Sequence, residues 1–253
     1  AEAIRMFCDR VGISKKETVI DMSILEECVR ESLNTRSKRA FAVLRPIKVL
    51  IENWGDDEKL ELQAPNHPQN PDMGTRPILF TKELYIDAAD FAEEPVKGFH
   101  RLVPGGEVRL RYGFVIKCLS VEKNPSSGEV EQLVCQVDRD TLGKKPEGRK
   151  VKGVIHWLNA QDSIPATVRL YDRLFSESTP GRAGEDFLQS YNPSSVEVVS
   201  DARVERSIGE AEVLDTFQFE RQGYFCVDSS SRAEKFVLNR TATLRDTWQS
   251  KTL

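Results

Sequence analysis

The residues best equipped for chemistry are cations gathered in two short stretches. Between Lys97 and Lys117 stand Lys97, Arg101, Arg109, Arg111 and Lys117 against a single acid, Glu107. From Lys144 to Lys152 stand Lys144, Lys145, Arg149, Lys150 and Lys152 against Glu147 alone. The whole chain of 253 residues carries a net charge of −4, so each stretch is a local reversal of sign. Ammonium groups suit phosphate, and guanidinium groups suit both phosphate and base edges. In Glu107-Val108-Arg109-Leu110-Arg111, strand alternation sends Val108 and Leu110 inward and leaves Arg109 and Arg111 on one outer face, roughly 7 Å apart. That spacing is close to the repeat of a nucleotide backbone. A solvated strand face and a solvated turn would carry the same charges. A third segment, Phe217-Gln218-Phe219-Glu220-Arg221, points Phe217 and Phe219 inward and Gln218 and Glu220 outward. A bulge before Gly223 would bring Arg221 onto that outer face.

These groups must be held by strands. Segments 43–54, 79–86, 107–121, 130–137, 151–157, 166–175, 196–202, 217–227 and 236–243 are β-branched or aromatic, often alternating, and bounded by turn residues such as Pro104-Gly105-Gly106 and Asn124-Pro125. No long helical run separates consecutive strands, which excludes a doubly wound parallel sheet. The reading is a mainly β chain of two antiparallel β-barrels preceded by a short α-helical segment. The divisions expected are a helical piece over 1–38, a first barrel over 39–160 and a second over 161–253, its last strand returning to the first. In the helical piece Ile4, Phe7, Cys8 and Val11 share one face, Gly12 marks a stop, and Ser14 with Glu17 and Ser23 with Glu26 have capping-box spacing.

Much chemistry is excluded. There is no GxxxxGK[ST] loop, no GxGxxG and no GxSxG elbow. Gly12-Ile13-Ser14-Lys15-Lys16 faintly resembles a Lys-Met-Ser-Lys-Ser loop but reads as a helix cap. Five cysteines without a Cys-x-x-Cys pair, and three scattered histidines, give neither a disulfide framework nor a metal site. The cysteines read as buried, reduced thiols of a cytoplasmic protein. No run approaches the ~18 apolar residues of a membrane-spanning helix. The start at Ala1, without a basic and apolar leader, reads as that of a fragment with no signal peptide. Barrels bearing arginines and aromatics suit single-stranded or looped RNA.

Six strings then carry a resemblance: Pro65-Asn66-His67-Pro68; Arg101-Leu-Val-Pro-Gly-Gly-Glu-Val-Arg-Leu-Arg111; Gly148-Arg-Lys-Val-Lys-Gly-Val-Ile-His-Trp157; Val168-Arg-Leu-Tyr-Asp-Arg-Leu-Phe175; Phe217-Gln-Phe-Glu-Arg-Gln-Gly-Tyr-Phe225; and Asn239-Arg-Thr with Leu244-Arg-Asp-Thr-Trp248. Together they resemble the C-terminal half of the bacterial glutaminyl-tRNA synthetase family. The resemblance implies an anticodon-binding region of two barrels, similar to a ribosomal 5S-RNA-binding barrel, without the family's catalytic half. It places Arg39, Pro68, Gln218 and Arg221 on the middle uracil of the anticodon. Arg101, with Glu220 nearby, falls on the third-base guanine, and Arg109, Arg111 and Thr247 fall on the first base and its phosphate. Gly98, His100 and Gln69 depart from the family's Gln, Lys and Asn, and bear on third-base reading. His67 and His156-Trp157 read as structural. The partner implied is the anticodon loop of tRNA(Gln), with a catalytic domain in cis and a monomeric state. ATP and Mg²⁺ are implied for the parent enzyme and no cofactor or catalytic residue for this stretch, which is expected to be inert in aminoacylation. A glutamyl-tRNA synthetase of the archaeal or eukaryotic type, or a stand-alone RNA-binding barrel, is the alternative.

Overall fold

The computed structural model describes residues 1–16, 18–177, 179–181, 184 and 186–245. Two helices open the chain, α1 (Glu2–Val11) and α2 (Met22–Arg36). Gly12 takes φ 73° and its N–H donates to the Cys8 carbonyl, which ends α1 as its composition requires. The cap of α2 is Asp21, whose carboxylate accepts the Ser23 N–H at 2.8 Å. The Ser23–Glu26 spacing therefore lies inside the helix and does not cap it. Ser14 accepts the Lys16 N–H instead of opening a helix, and Glu17 lies outside the described residues. Arg10 ties α1 to Glu27 and Glu31 of α2 on an exposed face. The apolar side of α2 is held on the barrels, where Leu33 packs with Tyr224 and Ala242.

Sixteen strands follow among the described residues. They are β1 (Lys38–Ala40), β2 (Ala42–Val43), β3 (Pro46–Ile51), β4 (Leu60–Pro65), β5 (Thr75–Phe80), β6 (Glu83–Asp87), β7 (Glu107–Leu110), β8 (Val115–Lys123), β9 (Val130–Asp138), β10 (Val154–Ile155), β11 (Leu158–Asn159), β12 (Ile164–Tyr171), β13 (Val196–Val204), β14 (Thr216–Phe219), β15 (Gly223–Val227) and β16 (Phe236–Ala242). The first sheet runs β10-β7-β8-β9-β3-β6-β11 and the second β1-β14-β15-β16-β12-β13-β2, with β4-β5 as a separate ribbon. Each large sheet begins and ends in one bent segment. Residues 38–43 supply both edges of the second sheet, with Phe41 at the bend, and residues 154–159 supply both edges of the first, with His156 and Trp157 at the bend. Joining its own edges in this way curls a sheet toward a barrel and removes open edges. The mainly β, barrel-like fold matches the expectation, although β1·β14, β7·β10, β3·β9 and β12·β16 pair in parallel.

The two cores meet at residues 40–44. Ala40, Ala42 and Leu44 enter the second core, while Phe41 and Val43 enter the first. Period-two alternation thus lets one strand close both cores at once. Trp54, Phe80, Phe114 and Trp157 fill the first core with rings 4.7–5.7 Å apart. Phe219 and Phe225 meet at 4.7 Å in the second.

Several expectations are corrected. Residues 39–43, expected in the first barrel, pair through β1 and β2 into the second sheet, while Phe41 and Val43 still enter the first core. β16 lies between β15 and β12 and makes no return to the first sheet. The segments 43–54, 79–86, 107–121 and 217–227 are each broken by a turn, because their apolar residues belong to two strands of a hairpin or corner. All five cysteines are free; Cys8 is exposed and Cys226 half-buried, against the expectation of buried thiols, and only Cys28, Cys118 and Cys135 are buried.

Candidate nucleic-acid interface

The parallel pairing of β1 with β14 sets Arg39 opposite Gln218. Phe217 and Phe219 are buried in the core, so Gln218 turns the other way. The Arg39 guanidinium is itself buried. It donates to the Asn34 carbonyl at 3.1 Å, the Ser37 carbonyl at 2.7 Å and Asn34 Oδ1 at 2.6 Å. Burial lowers its pKa, and the nearby Tyr224 and Glu220 oppose that shift. Tyr224 donates to the same Asn34 Oδ1 at 3.2 Å and accepts from Gln218 Nε2 at 3.4 Å. His67 joins from the other side. Its Nδ1 accepts the Gln69 N–H at 3.1 Å, so the ring proton sits on Nε2 and meets the Asn34 carbonyl at 2.7 Å. Pro68, next in the chain, is exposed. Arg39, Gln218 and the His67-Pro68 turn are thereby gathered around Asn34, in the last turn of α2.

Arg221 goes elsewhere. Phe219 and Gly223 face one another in the β14–β15 register, so Glu220, Arg221 and Gln222 form a hairpin turn and not a bulged strand. Arg221 takes φ 70°, a left-handed conformation that tight hairpin loops need. Gly223 follows at φ 143°, where a Cβ would lie 2.7 Å from the Ala242 carbonyl. The turn delivers Arg221 to the first sheet. It clamps Asp90 with bonds of 2.6 and 2.5 Å and donates to His156 Nδ1 at 3.0 Å. Arg101 reaches the same carboxylate through Nε at 3.2 Å and donates to the Ala89 carbonyl at 2.6 Å.

Glu220 does not face solvent as the alternation had implied. It is buried, ion-paired with Arg111 Nε and accepting from Tyr112 Oη at 3.1 Å. The reason is again the turn: Glu220 has left the strand, and its N–H donates to the Ala40 carbonyl at 3.0 Å. The two barrels thus exchange partners. The second barrel's Arg221 pairs with the first barrel's Asp90, and the first barrel's Arg111 pairs with the second barrel's Glu220. A third pair, Arg76 with Glu205 at 2.6 Å, crosses the same seam. Burial raises the Glu205 pKa, against Arg76, Ser207 and the Phe41 N–H.

Arg109 and Arg111 do not share a face. β7 ends at Leu110, Arg111 enters the turn with Tyr112 at φ 61°, and the two guanidinium groups diverge. Arg109 donates to the Thr141 carbonyl at 2.8 Å, to the Gly113 carbonyl at 3.1 Å and to the Lys144 carbonyl. It therefore anchors the second basic stretch. That stretch returns against the first at Gly153, where a Cβ would stand 1.9 Å from the His100 carbonyl. Only glycine permits this approach. The result is an open groove of about 570 Å³ lined by Arg101, Lys117, Arg149, Lys150 and Lys152. Within it Arg149 is engaged by Glu107 and Asp138, whereas Lys117, Lys150 and Lys152 are exposed. Thr247 lies outside the described residues. The sequence missed Asn34, Asp90 and His156 as parts of the site; a lone Asn, Asp or His carries no spacing signal.

This arrangement, two barrel-like sheets with arginines crossing a shared seam, is accompanied by family matches over most of the chain. Residues 37–138 and residues 154–228 match two models, each described as the anticodon-binding domain of class I tRNA synthetases (E and Q). The chain belongs to this family of anticodon-binding domains. Its similarity extends to proteins named glutamine–tRNA ligase. That of Tolumonas auensis is 52% identical over 249 residues, 98% of this chain and 45% of the relative. That of Proteus mirabilis is 51% identical over 249 residues, 98% and 44%, and that of Yersinia enterocolitica 52% over 253 residues, 99% and 45%. The chain spans less than half the length of these relatives. No helix of the described residues is long and apolar enough to cross a membrane.

Proposed function

We propose that the chain reads the anticodon loop of tRNA(Gln) for a glutamine–tRNA ligase whose catalytic domain lies in cis. One observation carries the reading: Arg101, Arg111 and Arg221 converge on the seam between the sheets and stay 43%, 38% and 28% exposed, each held by a buried carboxylate. Held arginines that stay partly exposed suit unstacked bases better than a regular duplex. Arg39, Pro68, Gln218 and Arg221 are assigned to the middle uracil, Arg101 with Glu220 to the third-base guanine, and Arg109, Arg111 and Thr247 to the first base and its phosphate. In that scheme Arg39, Glu220 and Arg109 act mainly by holding their neighbours. The proposed units are the helices of 1–38 and two barrels divided near residue 160, with residues 38–44 shared between them.

The parent reaction, glutamine joined to tRNA with ATP and Mg²⁺ in a cytoplasmic monomer, rests on the resemblance and the relatives' names. The carboxylates of the described residues do not fit that Mg²⁺. Among the described residues no three His, Cys, Asp or Glu groups are placed to hold a metal, and the buried Asp90, Glu205 and Glu220 are committed to arginines. The test is the affinity of the chain for four anticodon stem-loops, with uracil or cytosine in the middle and guanine or cytosine third. Preference for middle uracil and third guanine is expected. Equal affinity for all four loops overturns the reading, and preference for third cytosine favours the glutamyl enzyme.

A further inference from the structure

Asp90 receives two guanidinium groups that belong to different base-reading positions. Its side chain is 2% exposed, and the arginines reach it from opposite barrels. Arg221 spends one hydrogen from each Nη on the two carboxylate oxygens, which fixes the plane of the guanidinium. Arg101 sets Nε 3.2 Å from Oδ1 as an ion pair and donates from Nη1 to the Ala89 carbonyl. The Asp90 backbone holds the same neighbourhood, since its carbonyl accepts the Leu102 N–H at 3.0 Å, one residue beyond Arg101. Asp87 caps the turn that carries Asp90 by accepting the Ala89 N–H at 3.1 Å. One buried carboxylate thus holds the inward edges of both arginines, with His156 Nδ1 accepting a further bond from Arg221 at 3.0 Å, while the two side chains stay 43% and 28% exposed.

We propose that Asp90 is a positioning residue that couples the reading of the middle anticodon base by Arg221 to the reading of the third base by Arg101. This rests on the anticodon assignment above and adds the link between its two positions. With Asp90 neutralised, two cations lie close together around a group that no longer holds them, so both lose their orientation. Electrostatics alone predicts a different outcome. Removing one negative charge strengthens the binding of every loop by a similar factor, because the RNA backbone is an anion whatever its sequence.

The four stem-loops above, titrated at fixed salt against wild type, Asp90→Asn, Arg221→Ala and Arg101→Ala, test this. A base contact of this kind is worth roughly 5- to 150-fold in discrimination. Arg221→Ala is expected to lose the middle-base preference and Arg101→Ala the third-base preference. Asp90→Asn, with both arginines intact, is expected to lose both. In wild type, the penalty of a double mismatch is expected to fall short of the product of the two single penalties, and this measurement needs no variant to fold. A uniform change across all loops in Asp90→Asn, loss of one preference only, or strict multiplicativity in wild type overturns the coupling. Absence of any base preference in wild type instead overturns the anticodon assignment, and the coupling with it.

Discussion

Phe41 and His156 sit at the two bends that bring the barrel edges together, and their rings meet at 6.3 Å across the seam. Phe41 is 1% exposed, stacks on Tyr112 at 5.9 Å and lies 5.4 Å below the Arg76 guanidinium. Its N–H donates to buried Glu205 at 2.8 Å and its carbonyl accepts the Glu205 N–H at 3.1 Å. One side chain thus plugs the first core while its backbone ties both sheets. Phe41→Ala is expected to cost about 3–5 kcal/mol, the usual range for emptying a buried aromatic site. Urea unfolding of both proteins measures it. A loss below ~1 kcal/mol would show that the seam collapses to fill the space and that Phe41 is not its plug.

Gln218 offers the opposite case. Its backbone belongs to β14, but its side chain makes one long bond to Tyr224 and enters neither core. Gln218→Ala should leave the urea midpoint nearly unchanged, within ~0.5 kcal/mol. It should lower discrimination between middle uracil and middle cytosine by roughly 1–3 kcal/mol. Arg39→Ala should do both kinds of damage, since it removes a buried cation with three acceptors around it. If Gln218→Ala changes stability and leaves discrimination intact, the residue is a strut and not a reader.

The difference between these residues marks what the chain's order of residues discloses. Strand alternation is a local rule, so Val108 and Leu110 inside, and Gln218 outside, were legible at once. The barrel class followed from the same rule repeated along the chain. Alternation fails where a strand ends, and the ends were not legible. Arg111 and Glu220 each lie one residue beyond a strand, so the period-two rule put them on faces they do not occupy. The roles of Asn34, Asp90 and His156 depend on partners from 5 to 190 residues away. Such partners are set by how two barrels meet, which no local pattern records. The bends at Phe41 and at His156-Trp157 were hidden for the same reason, because each looks like an ordinary strand until its two halves are assigned to opposite edges of one sheet.

The groove formed by the two basic stretches predicts a salt dependence. For single-stranded RNA, each phosphate neutralised contributes about 0.7 to the slope of log affinity against log salt. Lys117, Lys150 and Lys152 are the exposed cations there without a carboxylate partner among the described contacts. Replacing Lys150 and Lys152 together by Ala should reduce the slope by up to about 1.4, on the same rule. The loss should be equal for all four loops, since a phosphate contact carries no base information. Titrations at several salt concentrations give the slope directly. An unchanged slope would place the backbone path away from this groove.

The last prediction concerns acid and His156. The imidazole is 1% exposed. Arg221 donates to its Nδ1 at 3.0 Å, so the neutral ring carries its proton on Nε2. A second proton would have to go onto Nδ1, against a guanidinium that is already donating there. Burial is the largest cause holding the His156 pKa below its ordinary value; Arg221 adds to it, while Asp90, Asp87 and the Ala42 backbone as an acceptor act the other way without prevailing. An unfolded histidine titrates near 6.5. The folded value is lower, so below that pH the unfolded chain binds a proton that the folded chain refuses. Stability is then full above about pH 6.5 and declines as pH falls toward the folded value, by at most about 1.4 kcal/mol per pH unit for one such group. Most carboxylates titrate lower, near 4; burial raises Glu205 above its ordinary range, but it does so with or without His156, so the difference between wild type and a His156 variant isolates the histidine. His156→Gln keeps a polar side chain of similar reach and cannot titrate. Its stability relative to wild type should therefore rise as pH falls through the window from about 6.5 to 5. Urea unfolding at several pH values between 5 and 7.5 compares the two. Parallel pH profiles would mean that His156 is protonated as readily in the folded protein as in the unfolded chain, and that the seam tolerates a third cation beside Arg221 and Arg101.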